Sequence, residues 1–235
     1  MSAIAIIPAR GGSKRLPRKN VIDFLGQPII AYTIDAARAS GCFERIVVST
    51  EDEEITAVAR QCGAATEKRP PELATDTAGV VDVCLHVLDG EEAAGRTWEI
   101  MCCLYATAPL RTAEDIRATM GLLERDVCSF VMGVTSFDLQ PHLALKFAPD
   151  GQLTAMWPDL IKYRASDLPP LRVSNGTTYA VHVDPFRQHR TFYGPGLRGY
   201  DMPRERSVDI DTQADLDLAQ MIARSHGFGA RAPKS

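Results

Sequence analysis

Four short apolar runs, at residues 4–7, 45–49, 99–104 and 129–134, alternate with segments whose apolar positions recur at helical spacing, at 28–39, 53–62, 80–88 and 113–123. This alternation is the strongest constraint on the fold. Strands joined through helices lie parallel, the crossovers are right-handed, and both faces of the sheet are covered. The reading is an α/β protein: a three-layer α/β/α arrangement around a mainly parallel sheet, with any ligand bound beyond the carboxyl ends of the strands. The rhythm breaks after about residue 135, where Pro149-Asp150-Gly151 supplies turn chemistry between short alternating stretches. A β-hairpin excursion over about 136–175 is expected, either covering the site or forming a dimer contact. A strand at 178–183 and a helix over 212–225 return the chain to the body. Residues 1–226 read as one domain and 227–235, small, polar and basic, as a flexible tail.

With 45% hydrophobic and 24% charged residues, the chain falls in the globular class. A net charge of -4 argues against a protein that coats nucleic acid, which needs a positive surface. No run reaches the roughly 20 apolar residues of a membrane span, and residues 1–7 lack the features of a signal peptide, so a cytoplasmic protein with no membrane partner is expected. The six cysteines form no C-x-x-C pair and read as buried free thiols rather than a zinc site. The five scattered histidines read as structural, and Trp98 and Trp157 as packing residues.

The first apolar run empties into "PARGGSKRLPRKN", which places Arg10, Lys14, Arg15, Arg18 and Lys19 around Gly11, Gly12 and Ser13 with no acid among them. Glycines after a strand let backbone N–H groups converge on an anion, and five cations within ten residues suit more than one phosphate. The segment matches neither G-x-x-x-x-G-K-[ST] nor G-x-G-x-x-G, which excludes the usual ATPase and dinucleotide loops. Pro17 delays helix formation, so an extended arm around the ligand is expected. The alternative is a solvated basic loop.

Near the other end, "SVDIDTQADLDLA" sets Asp209 and Asp211 two residues apart. In an extended segment both carboxylates face one side while Ile210 packs inward, an arrangement that suits Mg²⁺ shared with substrate phosphates. The competing reading is that Asp211 or Thr212 caps the last helix, with Asp215 in its first turn. A polyphosphate arm with a carboxylate pair points to phosphoryl or nucleotidyl transfer.

The stretches "IPARGGSKRLPRKN", "IVVSTEDEEI", "RPPELATDTA", "LYATAPLR", "SNGTTYAV" and "SVDIDTQADL", in that order, resemble the acylneuraminate cytidylyltransferase family. The resemblance implies a nucleotide-diphospho-sugar-transferase-like sheet, a homodimer, and transfer of CMP from CTP to the anomeric hydroxyl of a nonulosonic (sialic-type) acid, with release of pyrophosphate and use of Mg²⁺. It implies a CTP site of Arg10, Gly11, Gly12, Ser13, Lys14, Lys19, Asn20, Arg69 and the backbone around Ala78. Arg10 and Lys14 would neutralise phosphate, Asn20 would position the nucleotide, and Arg69 would meet the cytosine. Asp209 and Asp211 match the family's metal pair, with Asp211 also placed to take the sugar hydroxyl's proton. The alternative reading of Arg69 is a brace for the "RPPEL" turn.

For the sugar, Tyr105, Arg164, Arg172 and Asn175 are the candidates, since a guanidinium grips a carboxylate bidentately. Tyr105 stands where many sialic-acid members carry Gln and resembles the pseudaminic branch, whereas "SNGTTYAV" is nearer the sialic or legionaminic pattern. Val80 stands where many relatives have a small hydroxyl residue. Rival readings are a cytidylyltransferase for the eight-carbon acid Kdo and a catalytically idle nucleotide sensor.

Overall fold

The computed structural model describes residues 2–228. In chain order its elements are β1 (Ala3–Pro8), a short ribbon of β2 (Asp23–Phe24) and β3 (Gln27–Pro28), α1 (Ile29–Ser40), β4 (Arg45–Thr50), α2 (Glu53–Gln61), β5 (Ala65–Lys68), α3 (Val80–Ala93), β6 (Ile100–Leu104) and α4 (Ala113–Met120). There follow β7 (Phe130–Thr135), the hairpin β8 (Leu145–Phe147) and β9 (Leu153–Ala155), β10 (Val173–His182), α5 (Val183–His189), β11 (Arg198–Asp201) and α6 (Gln213–Ser225).

The main sheet has seven strands in the order β11-β7-β10-β6-β1-β4-β5. β1 pairs in parallel with β4 and β6, so Ile4 lies opposite both Arg45 and Met101; β10 runs antiparallel to β6 and β7. Period-2 alternation divides the apolar side chains between two cores. Ala5, Ile7, Val48, Cys102 and Leu104 pack toward α1, α2 and α4, while Ile4, Ile6, Val47, Met101 and Cys103 pack toward α3 and α5. The three-layer expectation is therefore met, with helices on both faces. A third cluster, containing Leu16, Phe24, Ile29, Ile210, Leu216 and Ala219, seats α6 beside the arm.

Element ends depart from expectation for identifiable reasons. α3 runs to Ala93 rather than 88 because Glu91, 4% exposed, is paired with Arg45 at 2.9 Å and Arg96 at 2.6 Å, which lets a polar turn continue the helix. α4 stops at Met120, before Gly121, and Glu124 and Cys128 then form an isolated bridge. β5 and β11, the two edge strands, and the short α5 carry too little apolar periodicity to be read from sequence. Of the expected tail, Gly227 takes a left-handed φ of 69° and the Phe228 N–H donates to the Ala223 carbonyl at 2.8 Å, so these two residues close α6. Residues 229–235 lie outside the described residues.

The hairpin forms about the expected turn, and its apolar residues face solvent. Phe147 is 80% exposed and Leu153, Met156 and Trp157 are also exposed, so Trp157 is not the packing residue the sequence reading made it; Trp98 does pack against the α3 side of the sheet. All six cysteines are free; Cys84, Cys102, Cys103 and Cys128 are buried, and burial pushes the Cys102 thiol far above its ordinary pKa. Among the described residues no helix is long and apolar enough to cross a membrane.

Candidate active site

Two cavities open beyond the carboxyl ends of β1 and β6. The smaller, about 180 Å³, is bounded by Arg10, Lys19 and Asn20 of the arm, by Arg69, Ala78 and Val80, and by Tyr105 and Thr107. The larger, about 760 Å³, includes Tyr105, Asn175, Tyr179, Tyr193, Arg204 and Asp209 in its lining. Tyr105 belongs to both. Its ring packs on Tyr179 with centroids 5.6 Å apart, its N–H donates to the Thr177 carbonyl at 3.1 Å, and burial pushes its phenol pKa up.

The arm leaves β1 through bends at Gly11 and at 14–16, not as the extended segment expected, and makes a 3-10 turn at Lys19–Val21, entered through Arg18 in the left-handed region. Neither Gly11 nor Gly12 has a positive φ, contrary to the conformational role read for them. Gly11 is required by crowding instead, because a Cβ there would lie 2.5 Å from Asp52 Oδ2. Its N–H donates to Glu51 Oε1 at 2.7 Å, and the Ser13 N–H donates back to the Gly11 carbonyl. Asn20, 7% exposed, holds the arm by donating Nδ2 to the Arg10 carbonyl at 2.8 Å.

Each cation of the arm meets a carboxylate. Arg10 and Lys14 both reach Asp76 at 2.6 Å, and their bonds, Lys14's foremost, hold the Asp76 carboxyl below the usual range. Arg15 and Lys19 grip Asp211 at 2.6 and 2.7 Å, while Arg18 pairs with Asp52 at 2.8 Å and with Glu54. Carboxylate oxygens thus stand where anionic oxygens of a ligand would bind. Arg69, 4% exposed, donates to the Ser49 carbonyl at 2.8 Å, and burial lowers its pKa. That bond ties it to the end of β4 while it also borders the smaller cavity.

At the chain's other motif, the helix cap falls to Thr212, which forms a capping box with Asp215. The Asp211 carboxylate is left to the arm. Burial opposes its ionisation, but the Lys19 bond and the Lys19 and Arg15 charges outweigh that and lower its pKa. Ile210 is fully buried, as the i, i+2 pattern requires. Asp209 turns to the larger cavity and accepts a bond from the Thr107 hydroxyl at 2.6 Å. Its pKa is raised, chiefly by burial and further by the Asp211 charge, against the Thr107 bond and the Lys19 charge. Among the described residues Asp209 makes no ion pair, and Gly176 (φ 66°) leaves it room, since a Cβ there would come within 2.9 Å of Asp209 Oδ2. A partly buried carboxylate raised in this way, beside a second carboxylate, fits a hard divalent cation that takes its remaining ligands from water and phosphate. No group of three or more His, Cys, Asp or Glu among the described residues is arranged to hold a metal by itself.

The four sugar candidates separate. Tyr105 and Asn175 line the larger cavity, and Asn175 braces the irregular stretch of β10 by accepting from the Thr177 hydroxyl at 2.7 Å and donating to the Ser207 hydroxyl at 3.0 Å. Arg164 is exposed on the excursion, and Arg172 is spent on Asp201 at 2.9 and 2.7 Å along a groove with Pro170 and Leu197; neither lines the two cavities. The arginine that lines the larger cavity is Arg204, paired with Asp138. The sequence reading does not assign Thr107, Arg204 or Asp76 to the site, and it names Arg15 only among the arm's cations. Thr107 lies inside the quoted "LYATAPLR", but nothing in one sequence shows which carboxylate its hydroxyl meets.

A family model described as Cytidylyltransferase matches residues 4–226. The chain is 34% identical over 223 residues to a pseudaminic acid cytidylyltransferase of Campylobacter jejuni subsp. jejuni, covering 94% of this chain and 96% of that one. It is 32% identical over 226 residues to a CMP-N,N'-diacetyllegionaminic acid synthase of Legionella pneumophila subsp. pneumophila, covering 94% and 96%. Among solved structures, a CMP:2-keto-3-deoxy-manno-octonic acid synthetase complexed with CTP superposes with a TM-score of 0.69 at 18% identity, over 96% of this chain and all of that one, a likeness of fold.

Proposed function

Because the chain belongs to this cytidylyltransferase family, we propose that it transfers CMP from CTP to the anomeric hydroxyl of a nonulosonic acid, giving a CMP-sugar and pyrophosphate. The observation that carries the reading is the meeting of two cavities at Tyr105, with the cationic arm on one side and Asp209 on the other. The smaller cavity takes the nucleotide: Arg69 and the Ala78 backbone face the cytosine, Asn20 orients the nucleotide, and Arg10, Lys14 and Lys19 take the phosphate charge. The larger cavity takes the acceptor, and its rings, Tyr105, Tyr179 and Tyr193, with Phe137 and Leu139, suit a sugar carrying acylamido and methyl groups.

Attack on the α-phosphate needs the sugar hydroxyl to lose its proton. Asp209 rather than Asp211 is the better acceptor, since Asp209 borders the acceptor cavity while Asp211 is held between Arg15 and Lys19. Mg²⁺, held by Asp209 and Asp211, would supply charge neutralisation at the α-phosphate and the attacking oxygen. In this reading the protein works in the cytoplasm as a homodimer, and the exposed apolar hairpin is the surface that a second copy covers. Sedimentation velocity is expected to give a dimer, and Phe147→Asp with Leu153→Asp to shift it to monomer; an unshifted species would remove the hairpin from the contact.

The test of function is pyrophosphate release from CTP and Mg²⁺ against N-acetylneuraminic, pseudaminic and legionaminic acids and Kdo, with Asp209→Ala as control. Release with pseudaminic or legionaminic acid, lost in the variant, is the expected result, and CTP binding without release for any sugar would favour the idle sensor. Asp76→Asn is expected to lower the KM for CTP by about twofold to fivefold, because it frees Arg10 and Lys14 from an exposed pair of small worth. A raised KM would make Asp76 a ligand contact instead.

A further inference from the structure

We infer that Thr107 is a positioning residue for the reaction, the latch that sets Asp209 between nucleotide and acceptor; the inference rests on the nucleotidyl-transfer reading above. Thr107 follows β6, is 5% exposed, and borders the smaller cavity, whereas Asp209 borders the larger one. One residue makes two bonds across this shared wall. The Thr107 hydroxyl donates to Asp209 Oδ1 at 2.6 Å, and the Thr107 carbonyl accepts the Ile210 N–H at 3.0 Å. The second bond registers the backbone of the Asp-Ile-Asp segment against the loop after β6, and Ile210, buried under α6, anchors it from below. The first bond sets the rotation of the carboxylate itself. Its other oxygen lies against Gly176, where even a methyl group would come within 2.9 Å. Gly176 thus leaves space for the carboxylate and Thr107 sets its orientation, with no cation of the protein in ion-pair contact with Asp209 among the described residues. A hydroxyl on a working carboxylate acts as the outer partners of metal-site ligands do, by fixing orientation and basicity.

Thr107→Val keeps the branched shape and both main-chain groups and removes only the hydroxyl, whereas Thr107→Ser keeps the hydroxyl. With CTP and the accepted sugar, Thr107→Val is expected to lose about 10- to 100-fold in kcat, at unchanged KM for CTP and unchanged melting temperature, and Thr107→Ser to recover most of that loss. Mn²⁺ binding read by electron paramagnetic resonance, in the presence of α,β-methylene-CTP, is expected to weaken about tenfold in Thr107→Val and to return in Thr107→Ser. Wild-type kcat and Mn²⁺ affinity in Thr107→Val, or a Thr107→Ser variant as impaired as the valine, would overturn the role. Asp209→Ala separates the two levels of the argument. If Asp209→Ala is inactive and Thr107→Val is normal, only the latch fails. If Asp209→Ala keeps wild-type turnover, the reading of Asp209 fails and the latch with it.

Discussion

Asp211→Asn is expected to lower turnover by about a thousandfold while leaving CTP affinity within a few-fold of wild type. The asymmetry follows from where the charge sits. Asp211 lies between Arg15 and Lys19, at 2.6 and 2.7 Å, so the amide variant leaves two cations free for phosphate and cannot weaken nucleotide binding by loss of attraction. What it removes is the second negative charge beside Asp209, and with it the site's capacity for a divalent cation. Isothermal titration with CTP and a stopped pyrophosphate assay separate the two effects, and a variant within tenfold of wild-type kcat would show that Asp209 alone suffices. Because the Asp211 charge also raises the Asp209 pKa, the variant is expected to move Asp209 back toward the ordinary carboxylate range. Any turnover it retains is therefore expected to persist to lower pH.

The second large effect is on stability. Arg111→Ala is expected to cost about 3–5 kcal/mol, a drop in Tm on the order of 10 °C, measured by calorimetry or chemical denaturation. Arg111 is 2% exposed and its guanidinium donates to the Thr177 and Tyr105 carbonyls and to the Thr33 hydroxyl, at 2.8 Å for the last. It ties together the loop after β6, the irregular stretch of β10 and α1. Burial pushes its pKa down to about 10, so the charge is itself costly, and the benefit comes from the added bonds it makes to carbonyls that also accept from the Tyr105 N–H and the Thr33 hydroxyl. Arg111→Met separates these contributions: it fills the space and relieves the charge but removes the guanidinium bonds, leaving the Thr177 carbonyl to the Tyr105 N–H and the Tyr105 carbonyl to the Thr33 hydroxyl. It is expected to lose less than alanine, and a methionine variant as stable as wild type would mean that the bonds contribute no net stability.

These two residues show how much of the site one sequence carried. Asp211 was legible as a candidate, because it stands two residues from another carboxylate around an apolar residue, but the competing use as helix cap was settled only by the structure, which gives the cap to Thr212. Arg111 was not, although it ends the quoted "LYATAPLR" stretch, because a single arginine after Pro109-Leu110 gives no sign of being buried. The arm's density of cations was legible from the sequence alone, whereas the carboxylates that they meet were not. Gly11 was read for the wrong reason, since a left-handed turn and close crowding by Asp52 both call for the same residue, and Gly12 has neither a positive φ nor a crowding neighbour. Arg164 and Arg172 were chosen by residue type. An exposed guanidinium takes whichever carboxylate the fold brings near, and for Arg172 that is Asp201.

The sequence by itself determined the layers. Alternating two-sided strands and one-sided helices must bury apolar faces on both sides of a sheet, and the strand-to-arm transition places a cluster of cations at its carboxyl edge. Tertiary structure alone decided which charges meet. Ion pairs and hydrogen bonds act across a few ångströms, and Thr107 with Asp209, Lys19 with Asp211 and Lys14 with Asp76 are each far apart in the chain. It also divided the cleft into two cavities at Tyr105, because the aromatic contact with Tyr179 and the bond to Thr177 depend on β10 returning antiparallel beside β6. No local pattern near Tyr105 encodes that return.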